Sequence, residues 1–392
     1  MTHAGSVLLG SDRLLASDRL DDRRIGLVCN QASVNSQLAH IADRIAVSGQ
    51  ATLAALFGPQ HGLQSVVQDN MIETPHARHG RYDVPVYSLY SETREPSQEM
   101  LRDVDLLVID LQDVGTRVYT YIYTMANCLR ASRTAGVPVI VCDRPNPIGG
   151  VMIEGPTLTS GFESFVGQFP IPLRHGMTIG ELARLFNDAF GIGADLEIIP
   201  MTGWRREAYQ DETGLPWIMP SPNLPTVDSA AVYPGTVIFE GTNVSEGRGT
   251  TRPFELVGAP WIDAQALVDT LAAQQLPGVM FRPVEFEPTF QKHAGKACGG
   301  CQLHVTDRHR FAPVQVAVAL LQALRQQDRD RFEWRQPPYE YERVKLPIDI
   351  LFGTDRVRQQ IDGDEPAAEI AQTWASDIAA FEETRRPFLL YT

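Results

Sequence analysis

The sequence lacks several features that would place it in a broad functional class. Lysine and arginine number 34 against 48 aspartates and glutamates, which gives a net charge of -14. This balance argues against nucleic acid or an anionic membrane as the main partner. No run approaches the roughly 20 apolar residues that cross a bilayer. No G-x-G-x-x-G follows the first predicted strand and G-x-x-x-x-G-K-[ST] is absent, so nothing indicates a nucleotide cofactor.

The N-terminal segment also lacks the features of a secretory signal, because no basic stretch precedes a long apolar core. As written, the chain is therefore expected to be cytoplasmic, or exported if a leader had been removed from the sequence. A hydrophobic content of 43% with 21% charged residues is typical of globular proteins. The sequence holds no indication of the oligomeric state.

Cysteine is scarce, and its five positions do not form the pattern of a disulfide framework. Cys298 and Cys301 make one C-x-x-C, and His293 and His304 lie near enough to suggest zinc. A structural zinc site needs four ligands, and a thioredoxin-like motif opens a helix after a strand. A strand-like segment follows this motif instead, so we expect neither metal nor redox chemistry here.

Short apolar runs alternate with helical segments through the first half of the chain. Each run ends in polar residues, a rhythm that predicts βαβ units. We therefore predict an α/β fold with a Rossmann-like, mostly parallel sheet and helices on both faces. The predicted strands begin at residues 24, 52, 84, 106, 137 and 196.

The pattern changes from about residue 263 onward, where helices and strands are mixed. A chain of 392 residues exceeds the size at which one core usually stops growing. We predict a Rossmann-like catalytic domain over residues 1–230 and a smaller α+β auxiliary domain over 231–392, with the active-site cleft between them. Predicted elements of the second domain are helices over 264–275, 313–327 and 365–381 and strands over 284–288 and 302–307.

The most informative stretch is DLLVIDLQDVGTRVYTYIYT, residues 105–124. Its apolar run predicts a buried strand, followed at the carboxyl end by Asp110, Asp113, Arg117 and Tyr119. Carboxyl ends of parallel strands face a crevice in open α/β sheets, so these side chains predict a polar-recognition site. The alternative is an aspartate that caps the next helix, beside tyrosines of the core.

A second stretch, FEGTNVSEGRGTTR over residues 239–252, interleaves three glycines with two acids and two arginines. A glycine-rich loop can bind phosphate through its backbone N–H groups, but the two acids oppose a polyanion. A sugar with a single carboxylate fits better, with one arginine forked onto it. The proline-rich segment 216–225 with Trp217 is equally compatible with a carbohydrate platform and with packing at a domain edge.

Several segments together resemble the NamZ-type exo-β-N-acetylmuramidases. They are GPQHGLQ (58–64), VYSLYSETREPS (86–97), LLVIDLQDVGTRVYTYIYT (106–124), DRPNPIGG (143–150), PSPNLPT (220–226), YPGTVIFEGTNVSEGRGTTRPFE (233–255) and KHAGKACGGCQLHVTD (292–307). The resemblance implies a Rossmann-like domain, a smaller C-terminal domain and a site in the cleft. It also implies removal of terminal β-1,4-linked N-acetylmuramic acid (MurNAc) from non-reducing ends of peptidoglycan fragments, without metal or nucleotide.

Glycoside hydrolysis usually requires a proton donor and a second carboxylate. We predict Glu92 as the general acid, because it follows a predicted strand and the matching glutamate is the best candidate in the family. Glu246 and Asp110 are the predicted partner carboxylates, with Asp113 as a further candidate.

Other residues are predicted to bind the sugar. Arg117 and Arg248 are candidates for the lactyl carboxylate that distinguishes MurNAc from N-acetylglucosamine (GlcNAc), and His61 for a hydrogen bond to the sugar or to an acid. Completing the predicted substrate-binding set are Asp113, Tyr119, Asn223 and Asn243.

Two alternatives remain open from the sequence. One is a non-catalytic protein that binds cell-wall sugars. The other is a metal-dependent deacetylase or an esterase on the same sheet. G-x-S-x-G is absent, but His61, His175 and Asp110 could imitate a zinc ligand set.

Overall fold

The computed structural model describes residues 7–69 and 71–392. The first six residues, which belong to the segment predicted not to be a secretory signal, lie outside the described residues. Within these ranges, no helix is both long enough and apolar enough to cross a bilayer.

Twelve strands occur in the described chain. They are β1 (Arg24–Cys29), β2 (Thr52–Gly58), β3 (Ala77–Arg78), β4 (Pro85–Ser88), β5 (Leu106–Asp110), β6 (Val139–Cys142), β7 (Glu154–Thr157), β8 (Pro172–Arg174), β9 (Leu196–Ile199), β10 (Leu256–Ala259), β11 (Val279–Phe286) and β12 (Cys298–Val305). The central sheet has the order β3-β4-β2-β1-β5-β6-β9. Its neighbours pair in parallel except β3 and β4 at one edge. The prediction of a mostly parallel α/β sheet is confirmed.

Helices surround this sheet and build much of the C-terminal part. The α-helices of the described residues are α1 (Gly10–Leu15), α2 (Ile41–Ser48), α3 (Gln98–Leu101), α4 (Tyr121–Ala135), α5 (Ile179–Arg184), α6 (Val227–Thr236), α7 (Ala264–Ala273), α8 (Pro313–Gln327), α9 (Pro347–Phe352), α10 (Arg356–Asp362), α11 (Ala367–Gln372) and α12 (Ala375–Arg385). Short 3-10 turns lie at Gln210–Glu212, Val237–Gly241 and Arg386–Phe388, and a π-helical turn at Leu185–Ala189.

Strand β5 shows why the sheet is covered on both faces. All five of its residues are buried, and successive side chains of a strand point to opposite faces. Leu107 and Ile109 join the apolar cluster that contains α4 and α5, whereas Leu106 and Val108 join the cluster that contains α2. An uninterrupted apolar run is the expected sequence of such a strand.

The C-terminal part is a smaller domain with one antiparallel sheet of order β10-β12-β11. Helix α8 packs against α6 and α7. The sequence pattern had not indicated β7, β8, β10 or α6, and the single helix predicted over 365–381 is divided into α11 and α12. The predicted boundary after residue 230 falls inside α6, and its position stays a prediction.

The C-x-x-C motif lies within β12, not in a loop. Both Cys298 and Cys301 are buried free thiols. Among the described residues, no group of three or more histidine, cysteine, aspartate and glutamate side chains is arranged to hold a metal ion.

The sheet's topological switch point lies between β1 and β5, where open α/β sheets form their ligand crevice. In this chain the crevice is filled by the protein's own polar groups. Arg144 forks onto Asp110 with N–O distances of 2.6 and 2.8 Å, and the Ser33 hydroxyl donates to the Asp110 carbonyl at 2.5 Å. Asn30 donates to the carbonyl of Pro220 at 2.7 Å. The proline-rich segment therefore covers the crevice.

Candidate active site

A cavity between the two domains gathers the polar groups that remain available to a ligand. Its volume is about 520 Å³ including the solvent-open mouth. The N-terminal domain contributes Gln60, His61, Tyr119, Thr120, Ser221 and Asn223, and the C-terminal domain contributes Tyr233, Glu240, Arg248, Phe254, Tyr339 and Glu340.

Local backbone features aim these side chains at the cavity. Gln60 and His61 follow the carboxyl end of β2, and His61 has a left-handed backbone with φ of 70°. Arg248 lies between two glycines, and Gly249 has φ of 82°. A Cβ at Gly249 would stand 2.6 Å from the carbonyl oxygen of Phe290, so only glycine fits this turn.

Glu340 is a carboxyl group of the cavity whose environment favours its protonated form. It is 4% exposed and accepts hydrogen bonds from the Tyr90 hydroxyl at 2.9 Å and from Gln60 Nε2 at 3.4 Å. Burial raises the pKa of Glu340 to about 7, and the neighbouring Glu240 acts in the same direction, against the two hydrogen bonds. A large fraction of Glu340 is therefore protonated at neutral pH.

The backbone around Glu340 is strained. Glu340 and Tyr341 have φ values of 44° and 71°, in the left-handed region that side-chain-bearing residues avoid. Contacts on both sides hold this conformation. The Tyr341 ring lies 3.9 Å from the Arg94 guanidinium carbon, and its hydroxyl donates to Glu73 at 3.2 Å. Strain of this kind persists where surrounding contacts over-determine it, commonly at functional sites.

Glu240 lies at the end of a chain of alternating buried charges. It accepts a hydrogen bond from Arg248 and another from the Tyr339 hydroxyl at 2.8 Å. Arg248 also lies 3.4 Å from Glu246, and Lys292 Nζ lies 2.8 Å from the other oxygen of Glu246. Burial alone would raise the pKa of Glu246, but the charges of Lys292 and Arg248 outweigh it and lower that pKa.

Arg248 keeps donors beyond the one that it gives to the two carboxylates. Burial disfavours its charge, yet the carboxylates of Glu240 and Glu246 raise its pKa, so the guanidinium stays charged. Its Nη1 serves both carboxylates, whereas its Nε is buried without a hydrogen-bond partner among the residues described. A guanidinium with an unpaired buried N–H at a cavity wall suits a ligand carboxylate.

His61 and Tyr119 present uncharged polar groups to the cavity. Burial lowers the pKa of His61 to about 4, so the ring is neutral at neutral pH. Its Nδ1 lies 2.7 Å from the carbonyl oxygen of Val67, which assigns the proton to Nδ1 and leaves Nε2 as an acceptor. The Tyr119 hydroxyl is buried beside the hydroxyls of Ser221 and Tyr121.

The structure brings only some of the predicted site residues together. His61, Tyr119, Asn223 and Arg248 line the cavity. Glu246 lies directly behind Arg248 and is 1% exposed.

Three predicted residues are buried among structural partners away from the cavity wall. Asp110 is held by Arg144. Asp113 accepts from the Gly115 backbone N–H at 2.8 Å and lies 3.3 Å from His175. Neither acid caps the next helix, whose N-cap residue is Thr120, so both are held by contacts that the helix-cap alternative did not describe.

Arg117 is the third of them, and it ties the domains together. Its Nη1 donates to the carbonyls of Pro156 and Ile171 at 2.7 and 2.9 Å, and its Nη2 donates to that of Leu351 at 2.9 Å. Burial lowers the pKa of Arg117 to about 10.

Glu92 and Asn243 also lie outside the cavity. Glu92 is exposed and makes no hydrogen bond or ion pair with the part of the chain that is described. Asn243 donates to the carbonyl of Arg331 at 2.7 Å and accepts from the Glu333 N–H at 3.1 Å. It therefore fixes a segment of the C-terminal domain.

Sequence reasoning missed the two carboxyl groups of the cavity. Glu240 stands in the glycine-rich stretch as one of its two acids, but Glu246 and not Glu240 was selected. Glu340 lies in a segment, PPYEYE, that carries no motif or periodicity. Its partner Gln60 is 280 residues away, so only the folded chain reveals the contact.

Comparison with known proteins gives consistent results over nearly the whole chain. Two family models match, exo-beta-N-acetylmuramidase NamZ N-terminal over residues 25–228 and NamZ C-terminal over 231–391. The chain is 45% identical over 387 residues to the peptidoglycan beta-N-acetylmuramidase NamZ of Bacillus subtilis (strain 168), covering 98% of this chain and 91% of that relative.

Two crystal structures from Bacteroides fragilis NCTC 9343, both of DUF1343 family proteins, also match. Their TM-scores are 0.88 at 32% identity and 0.78 at 29% identity. Each comparison covers 99% of both chains. The two-domain architecture is therefore shared with experimentally determined structures.

The raised pKa of Glu340 predicts a pH-dependent stability. The folded pKa of about 7 lies above the ordinary value of 4.5, so the folded state binds more protons than the unfolded state between these pH values. The contribution of Glu340 to the free energy of unfolding of the wild type therefore falls as pH rises from about 4.5 to 7. Glu340→Gln lacks this loss, so its free energy of unfolding relative to wild type should increase from pH 5 to pH 8, by up to about 3 kcal/mol.

Urea denaturation at the two pH values measures this difference. Glu92→Gln is the matched control, because it makes the same substitution at an exposed carboxyl group that has no hydrogen-bond partner among the described residues. A pH-independent difference for Glu340→Gln would contradict the assigned environment.

Proposed function

This chain belongs to the family of the exo-β-N-acetylmuramidase NamZ, and we propose that it is a glycosidase that removes terminal β-1,4-linked MurNAc from the non-reducing ends of peptidoglycan fragments. One observation carries this proposal for the chain's own residues. Two carboxyl groups, Glu240 and Glu340, line the interdomain cavity in opposite electrostatic environments, beside the guanidinium of Arg248.

Glu340 is the proposed general acid. Glycosidases need a carboxyl group that is still protonated near neutral pH to donate to the leaving oxygen. Burial and a second carboxyl group are the means by which proteins raise such a pKa. Glu340 has both, and its hydrogen-bond donors, Tyr90 and Gln60, are neutral.

Glu240 is the proposed second carboxylate. Its two oxygens accept hydrogen bonds from a guanidinium and from a phenol, and the bond from the guanidinium is charge-assisted. In this role it activates water or attacks the anomeric carbon. The configuration of the first sugar released, followed by proton NMR, distinguishes the two.

Arg248 is the proposed receptor for the lactyl carboxylate. Its guanidinium belongs to the cavity lining, whereas Arg117 is committed to three backbone carbonyls. GlcNAc lacks the lactyl group, so it forfeits a charge-assisted hydrogen bond at this position.

The identity of the acid is tested with two leaving groups. Glu340→Gln should lower kcat for the disaccharide MurNAc-GlcNAc by about 10²–10⁴-fold, since general acid catalysis contributes that much. The loss should be far smaller for a dinitrophenyl β-MurNAc glycoside, whose leaving group needs no proton. Hydrolysis rates of both substrates are measured with purified wild type and variant.

Glu92→Gln serves as the comparison, because Glu92 is the acid predicted from the sequence. We expect it to stay within a few-fold of wild type on both substrates. A leaving-group-dependent loss in Glu92→Gln, with Glu340→Gln active, would assign the acid to Glu92 while leaving the reaction class intact.

Substrate preference tests Arg248. Arg248→Lys keeps the positive charge but loses the planar guanidinium donors, so the ratio of kcat/KM for MurNAc to GlcNAc glycosides should fall at least about tenfold, or about 1.4 kcal/mol. Arg117→Met is the matched control and should reduce thermal stability without changing that ratio. An unchanged ratio in Arg248→Lys, or a changed one in Arg117→Met, would move the carboxylate contact away from Arg248.

A further inference from the structure

A second depression opens beside the catalytic cavity, mainly in the C-terminal domain. Its volume is about 940 Å³ including the open mouth. We call it the Trp334 groove, and its lining includes Asn243, Lys292, Trp334, Arg335, Gln336 and, from the N-terminal domain, Met71.

The groove adjoins the cavity on the side of Glu340. The backbone N–H of Glu340 donates to the Met71 sulfur at 3.4 Å, and Met71 lines the groove. The Arg335 guanidinium carbon lies 5.7 Å from the ring centroid of Tyr339, whose hydroxyl bonds Glu240. The groove and the cavity therefore share the wall that carries both carboxyl groups.

This location fixes which part of a substrate can reach the groove. A general acid stands beside the oxygen of the leaving group. With MurNAc in the cavity and Glu340 at the scissile oxygen, the remainder of the fragment leaves the cavity past Glu340. The Trp334 groove begins there.

The groove presents a rigid aromatic ring. The indole N–H of Trp334 donates to Asp362 at 3.1 Å, and Phe332 packs edge-on at 5.0 Å between centroids. Asn243 bonds the backbone on either side of Phe332, at Arg331 and Glu333. A ring held in this way loses little side-chain entropy when a ligand packs on it.

The lining also has the chemistry that a sugar needs. Aromatic faces pack against the apolar C–H face of a pyranose, and amide and guanidinium groups serve its hydroxyl and acetamido oxygens. Gln336 and Arg335 supply such groups next to Trp334. Backbone strain clusters here as well, since Met71 and Gln291 on the groove wall have φ values of 62° and 66°.

We propose that the Trp334 groove binds the saccharide on the reducing-end side of the scissile bond, beginning with GlcNAc. The inference rests on the proposed function, because it takes the leaving group to be the rest of a peptidoglycan fragment. It predicts that the enzyme distinguishes a glycan leaving group from a small one.

Two substrates test the proposal. One is the tetrasaccharide MurNAc-GlcNAc-MurNAc-GlcNAc, and the other is a chromogenic β-MurNAc glycoside, whose single-ring leaving group cannot span the groove. In Trp334→Ala the ratio of kcat/KM for the tetrasaccharide to that for the chromogenic glycoside should fall at least tenfold. Trp334→Phe, which keeps an aromatic face, should retain most of the ratio.

Gln336→Ala covers the case in which Trp334→Ala does not fold, because Gln336 is an exposed residue of the same lining. It should lower the ratio two- to fivefold. Equal ratios in wild type, Trp334→Ala and Gln336→Ala would overturn the groove proposal.

Binding of the trisaccharide product GlcNAc-MurNAc-GlcNAc, measured by calorimetry, separates this inference from the proposed function. Wild type should bind it at least tenfold more tightly than Trp334→Ala. Product binding that depends on Trp334, in an enzyme that hydrolyses neither substrate, would overturn the proposed reaction and support the groove. Turnover of both substrates with product binding independent of Trp334 would overturn the groove and leave the reaction in place.

Discussion

The chain of buried charges from Lys292 through Glu246 and Arg248 to Glu240 is the constraint on which the site depends. Removing an ion from water is costly unless a counter-ion and hydrogen bonds replace the lost hydration. Lys292 offsets Glu246, and Arg248 is shared between Glu246 and Glu240. Lys292 also donates to the carbonyls of Phe239 and Val244, so the same cation fixes the backbone that carries Glu240.

Glu340 has a raised pKa because no cation of this charge chain donates a hydrogen bond to it. It shares the cavity with Glu240 but accepts hydrogen bonds only from the neutral Tyr90 and Gln60 among the described residues. Burial therefore raises its pKa to about 7. Two carboxyl groups whose environments differ in this way are suited to acid and base roles in one reaction.

The cavity does not lie in the crevice of the sheet, because the protein's own side chains fill that crevice. Parallel α/β sheets usually bind ligands at the switch point, but here Arg144 fills it against Asp110, and the proline-rich segment covers it. Loops after β2 and β5 still supply Gln60, His61 and Tyr119, which meet the C-terminal domain across the cleft. The loops at the carboxyl ends of the parallel strands thus form one wall of the site, and the C-terminal domain forms the other.

Most of the fold and part of the site could be predicted from the sequence, and the two outcomes have different physical reasons. The apolar runs of β1, β2, β5 and β6 are local signals of buried strands, and they were sufficient to predict the parallel sheet. Burial of a single acid is not a local signal, so Glu92 on a surface loop and Glu340 in the cavity look alike in sequence. Asp110 and Arg117 carry the residue types of a binding site, but their partners, Arg144 and three backbone carbonyls, come from distant segments.

The most direct test of this account is a crystal structure of the enzyme with MurNAc bound. The sugar should lie in the interdomain cavity, with its lactyl carboxylate about 3 Å from a nitrogen of the Arg248 guanidinium, the usual length of an N–H···O hydrogen bond. Its anomeric carbon should lie between Glu240 and Glu340. A sugar bound with its anomeric carbon facing Glu92, or with its carboxylate on any cation other than Arg248, would contradict the account.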